Sequence, residues 1–254
     1  HCILKFIKYD GLIRLDGREI NEDTYNRIGY LPEERSLMPK LTVYEQVSFL
    51  ARLKGMTSQS IKEEFPKWMD RLGVVGNPND KIKSLSKGNQ QKVQLIATLI
   101  HKPDFIILDE PFSGLDPLNT DILKKVIFDE QKRGATIIFS DHSMSNVSEL
   151  CDDVVMINDG RIVLNGPIQQ VRDSYGLTRI IVRCALSTEE LRAVPHVLSA
   201  DELKDGSVEL KIEDEKYGSE IFDFISNGSY VRTFDHEPPT LDEIFKEKAG
   251  EKNE

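Results

Sequence analysis

The hexapeptide Phe105-Ile106-Ile107-Leu108-Asp109-Glu110 runs four apolar residues directly into two carboxylates. The apolar run reads as a buried strand, and two acids at its end are unfavourable unless something cationic meets them. Nucleotide hydrolysis uses such a pair, one acid to hold Mg²⁺ and one to orient and deprotonate water. A solvated turn of acids would look the same in isolation, so the neighbouring residues decide. Leu85-Ser86-Lys87-Gly88-Asn89-Gln90-Gln91-Lys92 places a hydroxyl and a glycine before a helix, where backbone N–H groups at the positive end of the dipole suit a phosphate. An ordinary N-cap has the same chemistry. Ser113-Gly114-Leu115-Asp116-Pro117 follows Glu110, and Ser140-Asp141-His142 ends the next apolar run. A histidine alone is more often structural than catalytic, but here the order matters. Ser86 precedes Asp109 by 23 residues and Glu110 precedes His142 by 32, with one helix and one strand in the second interval. All these groups then emerge along one sheet edge, the carboxyl edge at which open α/β sheets bind ligands.

The elements that must position them can be read from periodicity. Ile3, Leu4 and Ile7 mark a helical stripe over His1–Tyr9 that ends at Asp10-Gly11; Leu12–Leu15 reads as a strand before the tight turn Asp16-Gly17. Val43, Val47, Leu50 and Ala51 repeat at helical spacing behind a Thr42/Glu45 capping box. Ile61, Phe65, Trp68, Met69 and Leu72 give a second helix with Pro66 as an irregularity, and Asn77–Asp80 a loop. A helix after Gly88, strand Phe105–Leu108, a helix around Ile122–Ile127, strand Ala135–Phe139, a short helix near Met144–Leu150 and strand Val154–Ile157 alternate as in a covered parallel sheet. Asp159-Gly160 signals a hairpin, and Gly166-Pro167 ends the run. After Gly176 the expected order is strand 178–185, helix 188–193, strand 196–200, strand 207–213, helix 217–227 and strand 229–235, a ferredoxin-like βαββαβ module. A last helix holds Leu241, Ile244 and Phe245, and Glu247–Glu254 is a charged tail.

Composition excludes several classes. The 254 residues are 39% hydrophobic and 30% charged, ordinary globular values. Apolar runs stop at four or five residues, far below the ~20 that span a bilayer. Of the net charge of −10, the stretch from Asp201 onward carries 16 acids against 7 bases. No basic stripe exists to displace counterions, so nucleic acid is not an expected partner. Three scattered cysteines, Cys2, Cys151 and Cys184, suit buried thiols better than a zinc or disulfide framework. The first residue is His1, and nothing there resembles a signal peptide; the expectation is a processed chain or a sequence that begins late.

At these residues the sequence closely resembles the ATP-binding subunits of ABC transporters. Leu85–Asn89 matches that family's signature motif, Ile106–Glu110 its Walker B, Ser113–Asp116 its D-loop and His142 its switch histidine. Arg27-Ile28-Gly29-Tyr30-Leu31-Pro32-Glu33 resembles the approach to its Q-loop. The resemblance implies an α/β, P-loop type ATPase domain over residues 1–175, with a parallel-sheet core and a helical subdomain at about 42–100, and a small α+β accessory module over 176–254. The module's end, Glu237–Phe245, resembles the extension of bacterial exporters related to drug and sodium efflux ATPases. Implied site residues are Glu110 and His142 for catalysis, Asp109 and Glu33 for Mg²⁺, Asp116 in the D-loop, and Ser86, Lys87, Gly88, Asn89 and Gln90 contacting ATP held by the other subunit. Implied partners are ATP, a second copy or a paralogous ATPase subunit, and a separate transmembrane permease, on the inner face of the cell membrane.

Three departures accompany the match. No G-x-x-x-x-G-K-[ST] phosphate loop occurs in the sequence, and the expectation is that it lies just upstream of His1; the 254 residues alone would bind ATP weakly. Glu33 stands where the family carries glutamine, and the signature has Lys87 and Asn89 where glycine and glutamine are usual. The 53 residues from Glu33 to Ser86 leave no room for the long coiled coil of chromosome-maintenance relatives. The leading expectation is a dimeric ATPase driving export. A non-hydrolysing regulatory protein and a nucleic-acid ATPase of the same fold are the alternatives. The acidic accessory module is expected to stand away from an anionic membrane and to steady the dimer or bind a partner.

Overall fold

The computed structural model describes residues 1–34, 36–228 and 230–250. Contacts divide the chain into two compact units, His1–His142 and Ser143–Glu254. The first contains β1 (Arg14–Leu15), β2 (Arg18–Glu19), α1 (Glu22–Tyr25), β3 (Ile28–Leu31), α2 (Val43–Leu53), α3 (Ser58–Arg71), α4 (Lys87–Leu99), β4 (Phe105–Asp109), α5 (Pro117–Lys132) and β5 (Thr136–Ser140). Strands β3, β4 and β5 form a parallel sheet in that order, with Leu31 opposite Leu108 and Asp109 opposite Ser140. Buried Ile28, Leu31, Ile106 and Leu108 lie on these strands, and α4 adds Val93, Leu95, Ile96 and Leu99 to the core.

Local chemistry explains the helix starts. Thr42 Oγ1 accepts from Glu45 N–H at 3.2 Å while Glu45 Oε2 accepts from Thr42 N–H at 2.8 Å, which closes the expected capping box of α2. Helix α3 begins at the Thr57 cap and runs through Pro66 to Arg71 without a break. Its apolar face (Ile61, Phe65, Trp68, Met69) is buried, so packing outweighs the proline's missing hydrogen bond.

Gly29 on β3 lets α4 approach closely: a Cβ there would stand 2.7 Å from Thr98 O and 2.9 Å from Pro103 Cγ. A backbone oxygen cannot swing aside, so Gly29→Ala is expected to lower stability by about 1–3 kcal/mol in urea unfolding. An unchanged midpoint would show that α4 shifts freely.

The second unit begins with α6 (Met144–Leu150), β6 (Asp153–Asn158), β7 (Arg161–Pro167) and α7 (Ile168–Asp173). β6 and β7 form the expected antiparallel hairpin, with Asp159 and Gly160 at φ 47° and 74° as its turn requires. Then come β8 (Arg179–Arg183), α8 (Thr188–Arg192), β9 (Val197–Glu202), β10 (Val208–Ile212), α9 (Gly218–Ser226), β11 (Thr233–Glu237) and α10 (Leu241–Gly250). The last four strands are antiparallel in the order β11-β8-β10-β9, the ferredoxin-like arrangement. Ile180, Val182, Leu191, Ala200, Leu210, Ile221 and Ile225 form its core.

Some elements differ from the periodicity reading. The stripe in His1–Tyr9 ends earlier: Phe6 N–H bonds His1 O, Lys5 N–H bonds Cys2 O, and Lys5 has φ 55°. That pair of bonds around a left-handed residue has the Schellman pattern, and the segment forms turns rather than the expected helix. Helices α1 and α7 were not expected. The last strand of the module is Thr233–Glu237 rather than 229–235, because Phe234 pairs Val182 and Glu237 pairs Arg179. Ser229 and residues 251–254 of the charged tail lie outside the described residues.

Candidate active site

Parallel pairing brings the ends of β4 and β5 together. Ser140 Oγ donates to Asp109 Oδ1 at 2.6 Å and accepts from Glu110 N–H at 3.0 Å. Glu110 itself sits at φ 46°, a left-handed conformation uncommon outside glycine. Its Oε2 lies 3.0 Å from His142 Nδ1, and His142 is 83% exposed. Asp141 is half-buried beside them with its side chain turned from solvent, its Oδ1 4.0 Å from the same ring nitrogen. Burial first, and then the charge of Asp109, hold the Tyr30 phenol above its ordinary pKa.

The donor set fits a hard divalent cation. Ligand atoms of Glu110, Asp141 and His142 lie within 4.8 Å of one another. Asp109 gives one carboxylate oxygen to Ser140, leaving the other for a cation. Carboxylate oxygens are the ligands Mg²⁺ prefers. Glu33 lies two residues beyond the end of β3, at the same edge of the sheet, and is exposed.

The helix N-termini form a second group. Ser86 caps α4, its Oγ accepting from Asn89 N–H at 3.3 Å, which leaves the hydroxyl hydrogen available to an anion. Lys87 is exposed, and a Cβ on Gly88 would meet Asn119 Nδ2 at 3.5 Å. Asn89 Oδ1 accepts from Val75 N–H at 3.1 Å, and Gln90 Nε2 donates to Leu85 O at 3.0 Å and Ile82 O at 3.3 Å. These two amides therefore brace the loop before α4 from within the chain. Asp116 caps α5, accepting from Asn119 N–H at 2.9 Å, and that backbone bond leads the causes that hold its carboxyl below the usual range.

The structure thus joins Asp109, Glu110 and His142 in one cluster at the sheet edge. It sets Ser86–Gln90 beside the Asp116–Asn119 turn. In sequence Ser140 is only the start of Ser140-Asp141-His142. Its bridging role needs the β4–β5 register, which no local pattern specifies.

A parallel sheet with acids and a histidine at its carboxyl edge is the framework of an α/β nucleotide-binding ATPase. Residues 1–113 match the family described as ABC transporter, and residues 166–249 match the C-terminal domain of the ATP-binding proteins described as DrrA1-3-like. An uncharacterised ABC transporter ATP-binding protein of Alkalihalophilus pseudofirmus is 42% identical over 241 residues, covering 95% of this chain and 90% of the relative. The fluoroquinolones export ATP-binding protein of Mycobacterium tuberculosis is 37% identical over 153 residues, covering 59% of this chain and 49% of that protein. A solved ATP-binding subunit of an ABC transporter superposes with a TM-score of 0.62 at 27% identity, covering 71% of this chain and 74% of that one. The chain belongs to the ATP-binding subunits of ABC transporters. Subunits of this family bind and hydrolyse ATP and work with membrane permeases. Among the described residues no helix is long and apolar enough to cross a membrane.

Proposed function

We propose that this subunit powers export, closing as a dimer on Mg²⁺-ATP at the inner face of the membrane and transmitting that closure to a separate permease. The observation that carries the reading is the Asp109–Ser140–Glu110–His142 cluster, one connected set of hydrogen bonds at the sheet edge. In it, Glu110 orients the attacking water and takes its proton, and His142 contacts the γ-phosphate. Ser86 and Gly88 of the facing subunit close on the same phosphate from the helix N-terminus, with Lys87, Asn89 and Gln90 completing the signature loop and Asp116 shaping the turn beside it. Asp109 and Glu33 would hold Mg²⁺, which when bound neutralises phosphate charge. Residues 1–175 would serve as the ATP-binding domain and 176–254 as the accessory module that steadies the dimer. The export assignment draws on the DrrA-like C-terminal match and the fluoroquinolone-export relative.

Reconstitution of the subunit with its permease in vesicles tests this. ATP turnover is expected to need Mg²⁺, to rise on assembly with the permease, and to drive cargo away from the nucleotide side. Movement of cargo toward that side would refute export. In the same preparation Glu33→Gln should raise the Mg²⁺ concentration for half-maximal rate without abolishing turnover, because a neutral amide oxygen binds the ion less strongly than a carboxylate. Identical half-saturation would remove Glu33 from the metal shell.

A further inference from the structure

We propose that Ser140 is a positioning residue for ATP hydrolysis, one hydroxyl that fixes both acids of the site at once. The inference rests on the reading above, in which Asp109 holds the metal and Glu110 orients water. Ser140 touches neither nucleotide nor water in this role; it acts through the two acids.

The polarity of the bridge is fully determined. An ionised carboxylate only accepts, so the single hydroxyl hydrogen goes to Asp109 Oδ1, at the 2.6 Å typical of a charge-assisted bond. A backbone N–H only donates, so Glu110 N–H takes a lone pair of the same oxygen at 3.0 Å. The first bond sets the rotation of the Asp109 carboxylate and so the direction of its second oxygen. The second bond anchors the backbone of Glu110, which would otherwise relax from φ 46°. Because Glu110 Oε2 stands 3.0 Å from His142 Nδ1, a backbone rotation there would also carry the base away from the histidine. The register of β4 and β5, with Asp109 opposite Ser140, is what makes one hydroxyl reach both groups. Ser140 is exposed, so trimming its hydroxyl removes no core packing.

The experiment compares Ser140→Ala, Ser140→Cys and Ser140→Thr in the intact ATPase subunit. Alanine loses both bonds, cysteine keeps the size but donates weakly, and threonine keeps the hydroxyl. Ser140→Ala and Ser140→Cys are expected to lower kcat about 10- to 100-fold, the scale on which a ~1 Å misplacement of a reacting group acts, with KM for ATP within about twofold. Ser140→Thr is expected to stay within about threefold of the parent, because its hydroxyl restores the bridge. A second readout avoids turnover altogether: in a Glu110→Gln background, Ser140→Ala should raise several-fold the Mg²⁺ concentration at which ATP is half-retained, and Ser140→Thr should not. If Ser140→Ala fails to fold, Ser140→Cys carries the same expectation. Wild-type kcat in the alanine and cysteine variants, equal loss in alanine and threonine, or a loss confined to KM would overturn the proposal. Should Glu110→Gln still hydrolyse ATP, the reading of the acid pair fails and this inference fails with it. If Glu110→Gln is inactive while Ser140→Ala is normal, only the role of Ser140 falls.

Discussion

Replacing Glu110 by glutamine is expected to stop ATP turnover while leaving ATP bound, so that a nucleotide-filled dimer accumulates. The substitution is nearly isosteric and keeps the backbone N–H that meets Ser140 Oγ. What it removes is the carboxylate charge and the ability to take a proton from water. Loss of a general base costs about 10²- to 10⁴-fold in rate, which makes this the largest effect expected of a single residue here. Size-exclusion chromatography with ATP should show the dimer, and a phosphate-release assay should show the lost turnover. Near-wild-type phosphate release would exclude Glu110 as the base.

His142→Ala should produce the next largest effect, a fall in hydrolysis of about 10²-fold, the scale seen when one preorganised donor to developing charge is removed. The geometry gives the reason. Nδ1 faces the Glu110 carboxylate at 3.0 Å, so that nitrogen carries the hydrogen, and the largely exposed ring offers Nε2 for the γ-phosphate. His142→Gln, which can still offer one N–H, should therefore recover part of the rate and His142→Ala none. Equal rates for His142→Ala and the parent enzyme would make the histidine structural.

The parts that sequence made legible are those whose cause is local. The apolar run ending in Asp109-Glu110, the Thr42/Glu45 box and the Asp159-Gly160 turn are each decided by a few neighbouring residues. The βαββαβ order was readable for the same reason, since buried Ile180, Val182, Leu210 and Ile212 alternate along their strands. Less legible were features fixed by distant partners. The last strand, expected over 229–235, extends through His236 and Glu237 because they find Ile180 and Arg179 across the sheet. The partner of the Asn89 side chain, the Val75 N–H, lies 14 residues away and is not signalled by any local pattern. The bridge at Ser140 depends on a serine 31 positions away in sequence from Asp109, so spacing alone could not distinguish it from a residue that merely ends a strand.

The facing of Asp109 and Ser140 across two parallel strands also makes the site depend on strand register. Side chains alternate between faces, so a one-residue slip of β5 would turn Ser140 away and put Asp141 opposite Asp109. A third negative charge would then replace the shared hydroxyl, and the Glu110 N–H would lose its acceptor. Catalytic competence in this subunit is therefore tied to a single register of β5 against β4.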